Sequence, residues 1–155
     1  MRTLADLLAE VPAMRSLPPP QREVVARCGR NRVFVPGAWI MREGDAADAF
    51  YVLRSGSAAL ETFSPQHGPI TIETLHDGDL LGWSWLFPPH RVRFDARAID
   101  EVHAIEFDGA CLRRRCESDA ETGYELMRLF AAVVVERLQG TRMRLLDVYG
   151  TRADG

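Results

Sequence analysis

A change of hydrophobic period divides this chain into a strand-rich middle and two helical ends. From about residue 32 to residue 107, short runs rich in Val, Ile, Phe, Tyr and Thr follow one another. The runs occupy 32–35, 38–41, 49–56, 57–63, 70–75, 91–99 and 101–107. Turn residues separate most of them, at Pro36-Gly37, Gly44-Asp45, Ser55-Gly56, His67-Gly68-Pro69 and Asp77-Gly78. Short strands at this regular spacing predict an antiparallel β-barrel or jelly roll.

Helical periodicity flanks the strands on both sides. Leu4, Leu7, Leu8 and Val11 recur at i, i+3, i+4 and i+7, and a second helix is expected to restart at the prolines 18–20. After residue 107, Asp108 is predicted to cap a short helix. A longer helix should follow, ending at about Gly150. The chain is therefore predicted to be one α+β domain over 1–155, with helices in 1–30, the barrel or jelly roll in 31–107 and helices in 108–150.

The long C-terminal helix is apolar on every side over residues 130–135, FAAVVV. A helix that is apolar all round must be covered all round. A second copy of the same helix would cover it, which favours a homodimer. The alternative is that the domain's own N-terminal helices provide the cover.

The composition excludes several classes of protein. The net charge of −3 gives no electrostatic footprint for nucleic acid. No run approaches 18 apolar residues, so no membrane span is expected, and acids at Asp6 and Glu10 argue against a signal peptide. Three cysteines, an odd number, argue against a disulfide framework and for a reducing compartment, here the cytoplasm. Cys111 and Cys116 lie about 140° apart on a helix, so they are not a metal pair.

Residues 78–98, GDLLGWSWLFPPHRVRFDARA, concentrate the unusual chemistry, and we call them the aromatic-arginine segment. A short turn of helix is predicted between Gly82 and the Pro88-Pro89 stop, followed by a strand with outward arginines. Free backbone N–H groups and nearby arginines would suit a ligand cradle. The competing interpretation is a corner of an all-β core filled with indole rings.

The order of elements resembles a cyclic-nucleotide-binding domain, and the glycine pattern agrees with it. The matching glycines are Gly37, Gly44, Gly56, Gly78 and Gly82, and the family's hairpin matches EGDAADAFYVLRSG at 43–56. The resemblance covers about residues 24–148 and is nearest to the sensor half of Crp/Fnr-type regulators. Those regulators carry a helix-turn-helix after the long helix. Because this sequence ends at Gly155, no DNA-reading element is expected.

The resemblance also shows where the sequence departs from the family's phosphate-binding cassette. Trp83 stands where nucleotide-binding members have the glutamate that takes the ribose hydroxyl. Val92 stands at the position of the family's phosphate-binding arginine, and strand alternation turns Arg91 and Arg93 away from it. The alternative is that Arg91 curls inward, since the loop before the strand is irregular. The expected consequence is weak or absent binding of cyclic AMP. The candidate ligand-binding residues are Gly82, Trp83, Ser84, Trp85, Arg91, Val92, Arg93 and Phe94.

No constellation of side chains predicts catalysis or a cofactor. The four histidines lack metal-ligand spacing, and no nucleophile lies beside a base. The sequence therefore predicts a non-catalytic regulatory domain that couples a small-molecule effector, nucleotide or apolar, to the long helix. The alternative is an adaptor with a collapsed pocket, which binds a partner enzyme through its dimer surface or through Arg113–Arg115.

Overall fold

The computed structural model describes residues 2–153, so Met1 and residues 154–155 of the predicted domain lie outside it. Two short helices come first, α1 (Leu4–Glu10) and α2 (Pro19–Ala26). Thr3 and Asp6 form a capping box at the start of α1. The amide of Asp6 donates to Thr3 Oγ1 at 3.2 Å, and the amide of Thr3 donates to Asp6 Oδ2 at 3.0 Å. Pro18 precedes α2, whose first residues are the prolines that suit a first turn.

Eight strands form two antiparallel sheets, which confirms the α+β jelly roll. One sheet has the order β1 (Gly29–Phe34), β8 (Val102–Asp108), β3 (Ala49–Ser55) and β6 (Leu80–Leu81). The other has the order β2 (Trp39–Met41), β7 (Asp95–Ala98), β4 (Ala58–Ser64) and β5 (Gly68–Leu75). The sheets stay separate, so the barrel alternative in its closed form is not what the chain adopts.

The strand predicted over 91–99 is shorter than expected. Only Asp95–Ala98 pairs continuously with its neighbours, and Arg91 makes an isolated bridge to Ala46. The amide of Val92 donates to the carbonyl of Asp45 at 2.9 Å, so a loop contact replaces the ladder there. The irregular backbone matters because it fixes which side chains of the aromatic-arginine segment face inward.

The family-type glycines occupy turns that only glycine adopts easily. Each of the five has a positive φ, from 83° at Gly37 to 96° at Gly82. Gly56 is the tightest of them, because a Cβ built there would lie 2.3 Å from the carbonyl oxygen of Glu101. The glycine spacing in the sequence therefore marks turns with a positive φ.

Two helices close the chain, α3 (Gly109–Ser118) and α4 (Ala120–Ala153). Asp108 caps α3 as predicted, accepting from the amides of Ala110 and Cys111. The predicted end of the long helix at Gly150 is wrong, since α4 continues through it to Ala153. A glycine inside an exposed helix costs about 1 kcal/mol, which is too little to end a helix by itself. Within residues 2–153, no helix has a stretch apolar and long enough to cross a bilayer.

The helices pack against the first sheet around one aromatic cluster. Phe50 lies at its centre, with ring centroids 4.5 Å from Phe107 and 4.9 Å from Phe130 on α4. Leu126 and Leu129 of α4 are buried in the same cluster. From Val135 onward the apolar residues of α4 are largely exposed, so the domain covers only the first part of this helix.

A disulfide joins Cys28 to Cys111, so the expectation that this chain lacks one is wrong. The two residues are 83 positions apart in sequence. They meet because β1 begins directly after α2 and pairs with β8, which runs into α3. The amide of Asp108 donates to the carbonyl of Cys28 at 2.9 Å across this junction. Cys116 keeps a free thiol.

Candidate functional site

The aromatic-arginine segment leaves the first sheet at Gly82. A Cβ at this glycine would lie 3.2 Å from the Met41 methyl and 3.5 Å from the carbonyl of Ala49, in a backbone with φ of 96°. The predicted turn of helix after it does not form. Residues 84–86 form a turn instead, with the amide of Leu86 donating to the carbonyl of Trp83 at 3.1 Å. Two prolines at 88–89 leave too short a stretch for a helix, so no helix N-terminus is presented to a ligand.

The two tryptophans of the segment occupy different environments. Trp85 is fully buried, stacked on Phe50 at 5.5 Å and edge-on to Phe130 at 5.3 Å. The indole N–H of Trp85 has no hydrogen-bond partner within the described chain. Trp83 is partly exposed, and its ring lies 5.4 Å from that of Phe94. Trp85 therefore belongs to the core, and Trp83 covers the pocket side of the β-roll.

Val92, the inward-facing residue between Arg91 and Arg93, carries no charge. Val92 is only 7% exposed, while Arg91 and Arg93 are exposed on either side of it. The loop backbone fixes this orientation, because Val92 exchanges hydrogen bonds of 2.9 Å with Asp45 and Gly44. The alternation predicted for these three residues is confirmed, and neither arginine curls inward.

Little space remains where the family's cassette would hold a phosphate. A void of about 10 Å³ lies there, lined by Met41, Ala47, Ala49, Gly82, Ser84, Val92, Arg93 and Phe94. Binding pockets for drug-sized ligands usually have several hundred cubic ångströms, so this void cannot accept a nucleotide without rearrangement. Five of the eight candidate ligand-binding residues line it, whereas Trp83, Trp85 and Arg91 do not. Their role in binding stays a prediction.

Arg137 of α4 contacts the Trp83 side of the site. Its guanidinium carbon lies 5.1 Å from the centre of the Trp83 ring, and its Nε lies 3.9 Å from Glu73 Oε2 on β5. The side chain is only 12% exposed, and Nη1 is buried with no hydrogen-bond partner in residues 2–153. Burial lowers the pKa of this guanidinium, an effect that Glu73 and Asp79 oppose. Arg137 thus ties the long helix to the aromatic-arginine segment.

A larger cleft opens beside this contact. It has a volume of about 280 Å³ and runs between β5 and α4. Apolar groups from Leu75, Leu80 and Val133 line it together with the charged side chains of Glu73 and Arg137. Asp79 and Glu136 also line it, so the cleft combines apolar walls with several charged groups.

The other end of the segment is fastened to α3. Arg113 donates to the carbonyl of Trp85 at 2.6 Å. Gly109 donates to the carbonyl of Asp48 at 2.7 Å, and a Cβ on Gly109 would lie 3.1 Å from the Cβ of Trp85. Arg113 is thus a structural contact and not part of a surface patch, whereas Arg114 and Arg115 are exposed. Of the three arginines considered for partner binding, Arg114 and Arg115 are therefore the two that remain available.

Several other charged groups form ion pairs. Asp95 Oδ1 lies 3.7 Å from Arg42 Nε and accepts from the amide of Glu43 at 2.8 Å. Arg97 Nε donates to Oε1 of the buried Glu61 on β4 at 2.8 Å. His103 Nε2 lies 2.7 Å from Glu101 Oε1 on an exposed face.

Sequence reasoning did not identify Arg137. A signal was present, because Arg137 follows Leu126, Phe130 and Val133 on one helix face at steps of four, three and four. An arginine that continues a buried stripe is either paired or covers an aromatic ring. Which of these it does depends on Trp83, which lies 54 positions earlier in the sequence.

Comparison with known proteins gives a consistent set of similarities. The family model of the cyclic nucleotide-binding domain matches residues 31–119, which is more than half of the chain. The crystal structure of a candidate cyclic nucleotide-binding protein from Geobacter metallireducens GS-15 superposes with a TM-score of 0.78. It shares 28% identity, over 89% of this chain and 99% of that one.

Two curated proteins show the same similarity over shorter stretches. A CRP-like cAMP-activated global transcriptional regulator of Mycobacterium tuberculosis is 26% identical over 79% of this chain and 53% of its own length. A cAMP-dependent protein kinase regulatory subunit of Colletotrichum orbiculare is 40% identical over 37% of this chain and 15% of its own length. The chain thus spans between about a seventh and about half of these relatives.

Proposed function

Because the chain belongs to the cyclic nucleotide-binding domain family, we propose that it is a non-catalytic sensor that couples a ligand in the β-roll to α4. The contact of Arg137 with Trp83 supports this, because one side chain joins the pocket to the long helix. A ligand that binds against Trp83 would have to displace this contact. Such a ligand then shifts the position of α4 by its difference in affinity for the two arrangements.

We also propose that ordinary cyclic AMP binding is weak or lost. The observation that carries this is the void of about 10 Å³ at the cassette, with Val92 buried and both neighbouring arginines exposed to solvent. A charge-assisted hydrogen bond contributes about 1.5–3 kcal/mol. Losing two such anchors lowers affinity by a factor of about 10² to 10⁴.

The effector that fits best is a small apolar or aromatic molecule. Trp83 and Phe94 would provide ring faces, and the cleft of about 280 Å³ would provide apolar walls once Arg137 moves. An aromatic ring stacked on an indole contributes about 0.5–1.5 kcal/mol beyond its buried area.

A calorimetric titration with cyclic AMP and cyclic GMP tests the proposal. The unaltered protein should give no micromolar binding. The double variant Trp83→Glu/Val92→Arg restores both anchors, and we expect it to bind at least about tenfold more tightly. The matched control is Phe63→Glu/Val33→Arg, the same type of change at exposed strand positions, which should leave affinity unchanged. Micromolar binding by the unaltered protein would show that the register at Val92 differs from the one described.

We further propose that α4 forms a homodimer. One face carries Tyr124, Met127, Ala131, Val134, Leu138, Thr141, Leu145 and Val148, at alternating steps of three and four residues. This is the spacing of a coiled-coil seam. All of these side chains are exposed except Val134, which is partly exposed, and Leu138 is 67% exposed. Sedimentation should give twice the mass of 17.4 kDa for the unaltered protein, and Leu138→Lys should give the single mass.

The second candidate function is an adaptor with a permanently filled pocket. The small volume left at the cassette, about 10 Å³, favours this function. The exposed Arg114 and Arg115 of α3 would contact an acidic partner such as an enzyme. The two functions separate on ligand dependence, because only a sensor gains thermal stability when an effector binds. We propose a cytoplasmic location for either function, which requires the Cys28–Cys111 disulfide to be a reducible bond, because stable disulfides are rare in that compartment.

A further inference from the structure

The disulfide joins the N-terminal helices to the element that holds the aromatic-arginine segment. Cys28 lies just after α2, and Cys111 is the third residue of α3. Gly109 and Arg113 lie on either side of Cys111 in the same helix, and both contact Trp85 or its immediate support. The bond therefore fixes the helical turn against which Trp85 rests.

The disulfide lies beside a surface cleft of about 710 Å³ between α3 and the first sheet, which both cysteines line. Cys111 is partly exposed, whereas Cys28 is only 7% exposed. We therefore expect a reductant to attack Cys111 first. Once released, the Cys111 thiolate would lie in the first turn of α3, where the helix dipole favours negative charge but the amides of Ala110 and Cys111 already donate to Asp108.

We propose that Cys28–Cys111 is a redox-active disulfide, and that its reduction by a dithiol reductant frees the start of α3 and changes the setting of Trp85. One thiolate of the reductant attacks Cys111 Sγ and forms a mixed disulfide. Cys28 leaves as a thiolate and takes up a proton. The second thiol of the reductant, once deprotonated, attacks the reductant's other sulfur, which is bonded to Cys111 in the mixed disulfide. This attack releases the Cys111 thiolate. The reductant is oxidised to its internal disulfide by two electrons, and the protein gains two thiols.

Cys116 does not take part in this exchange. It is five positions beyond Cys111, about 140° around the helix, so the two sulfurs face different sides. Burial raises the pKa of the Cys116 thiol, which keeps it protonated and unreactive. Cys116 therefore provides the matched control for the other two cysteines.

Thiol chemistry on single variants tests the order of attack. The variant Cys28→Ser leaves the Cys111 thiol free, and the variant Cys111→Ser leaves the Cys28 thiol free. A soluble disulfide reagent should label Cys111 in the first variant at least about tenfold faster than Cys28 in the second. Cys116→Ser should keep the disulfide and reduce like the unaltered protein. The proposal is overturned if excess dithiol leaves the bond intact in the folded protein, or if the buried Cys28 labels faster than Cys111.

Hydrogen exchange tests the consequence for the aromatic-arginine segment. Reduction should lower the protection of peptides covering 83–90 and 109–113 and leave the β4–β5 hairpin unchanged. The double variant Cys28→Ser/Cys111→Ser should resemble the reduced protein at every redox setting. Reduction that leaves exchange in 83–90 unaltered would mean that the bond is structural only. None of these readouts requires a ligand, so they stand or fall independently of the proposed sensor function.

Discussion

Replacing Arg137 by methionine should leave the unfolding free energy unchanged or raise it, although a buried ion pair is lost. The guanidinium contacts the Trp83 ring at 5.1 Å and Glu73 at 3.9 Å. The first contact contributes about 0.5–2 kcal/mol. The second contributes less than about 1 kcal/mol, since Glu73 keeps 27% of its side chain in solvent and the distance is long.

The costs of burying the Arg137 guanidinium are at least as large as the contributions of these two contacts. Nη1 is buried with no partner in the described chain, and an unsatisfied buried donor costs about 1–3 kcal/mol. Withdrawing the charge from water adds to this cost. Methionine keeps the unbranched stem that covers Trp83 and removes both penalties. The expected change in unfolding free energy lies between about zero and a gain of 2 kcal/mol.

Urea denaturation of the purified variant measures this change. Arg142→Met, an exposed position on the same helix, serves as the matched control and should stay within about 0.5 kcal/mol of the unaltered protein. Arg137→Ala should be less stable than Arg137→Met, because it also loses the packing of the stem. A loss above about 1 kcal/mol in Arg137→Met would refute the reasoning, since it would mean that the contacts of the guanidinium outweigh the cost of burying it.

Three further predictions concern stability. Gly56→Ala should destabilise the protein by about 2 kcal/mol or more, because its Cβ would meet the carbonyl of Glu101 at 2.3 Å; Gly37→Ala, strained at φ of 83° but in open space, should cost about 1 kcal/mol. Asp119→Asn should lower stability at neutral pH. Hydrogen bonds from the side chain and amide of Thr122 lower the pKa of Asp119, so this contribution is present above the unfolded pKa of about 4 and is lost as the pH falls through the lower folded value. Trp85→Ala should cost about 3–5 kcal/mol, and Trp85→Phe clearly less, since phenylalanine does not bury an unpaired N–H. Denaturant titrations, at two pH values for Asp119→Asn, measure all three.

The jelly roll was predictable because its determinants are local. Turn glycines report positive φ at their own positions, and strand alternation places Val92 inward and its arginines outward whatever the partner strand is. Predictions of helix starts and ends from single residues were less successful. The helix expected after Gly82 requires more residues than the prolines at 88–89 allow, and Gly150 was too weak a signal to end α4.

The contacts that define the candidate site were not predictable from sequence, because they join distant parts of the chain. Cys28 and Cys111 meet only because β1 pairs with β8, and spacing along the chain gives no sign of it. Arg137 and Trp83 meet only because α4, which follows α3, packs against the β-roll. The sequence could show that the family's anchors were missing, but not which side chain occupies their place.

The aromatic-arginine segment is held at both ends by different helices, and this arrangement limits how a signal can pass through it. Trp83 is covered by Arg137 of α4, and Trp85, two residues later, is held by Arg113 of α3. Any shift of the segment must therefore change at least one of these two contacts. Under the two proposals, a ligand at Trp83 would act directly on α4, whereas reduction of the disulfide would act first on α3 and Trp85. Because the two tryptophans are only two residues apart, we expect the two inputs to be coupled. By linkage, reduction would then alter effector affinity by the same factor as the effector alters the reduction equilibrium.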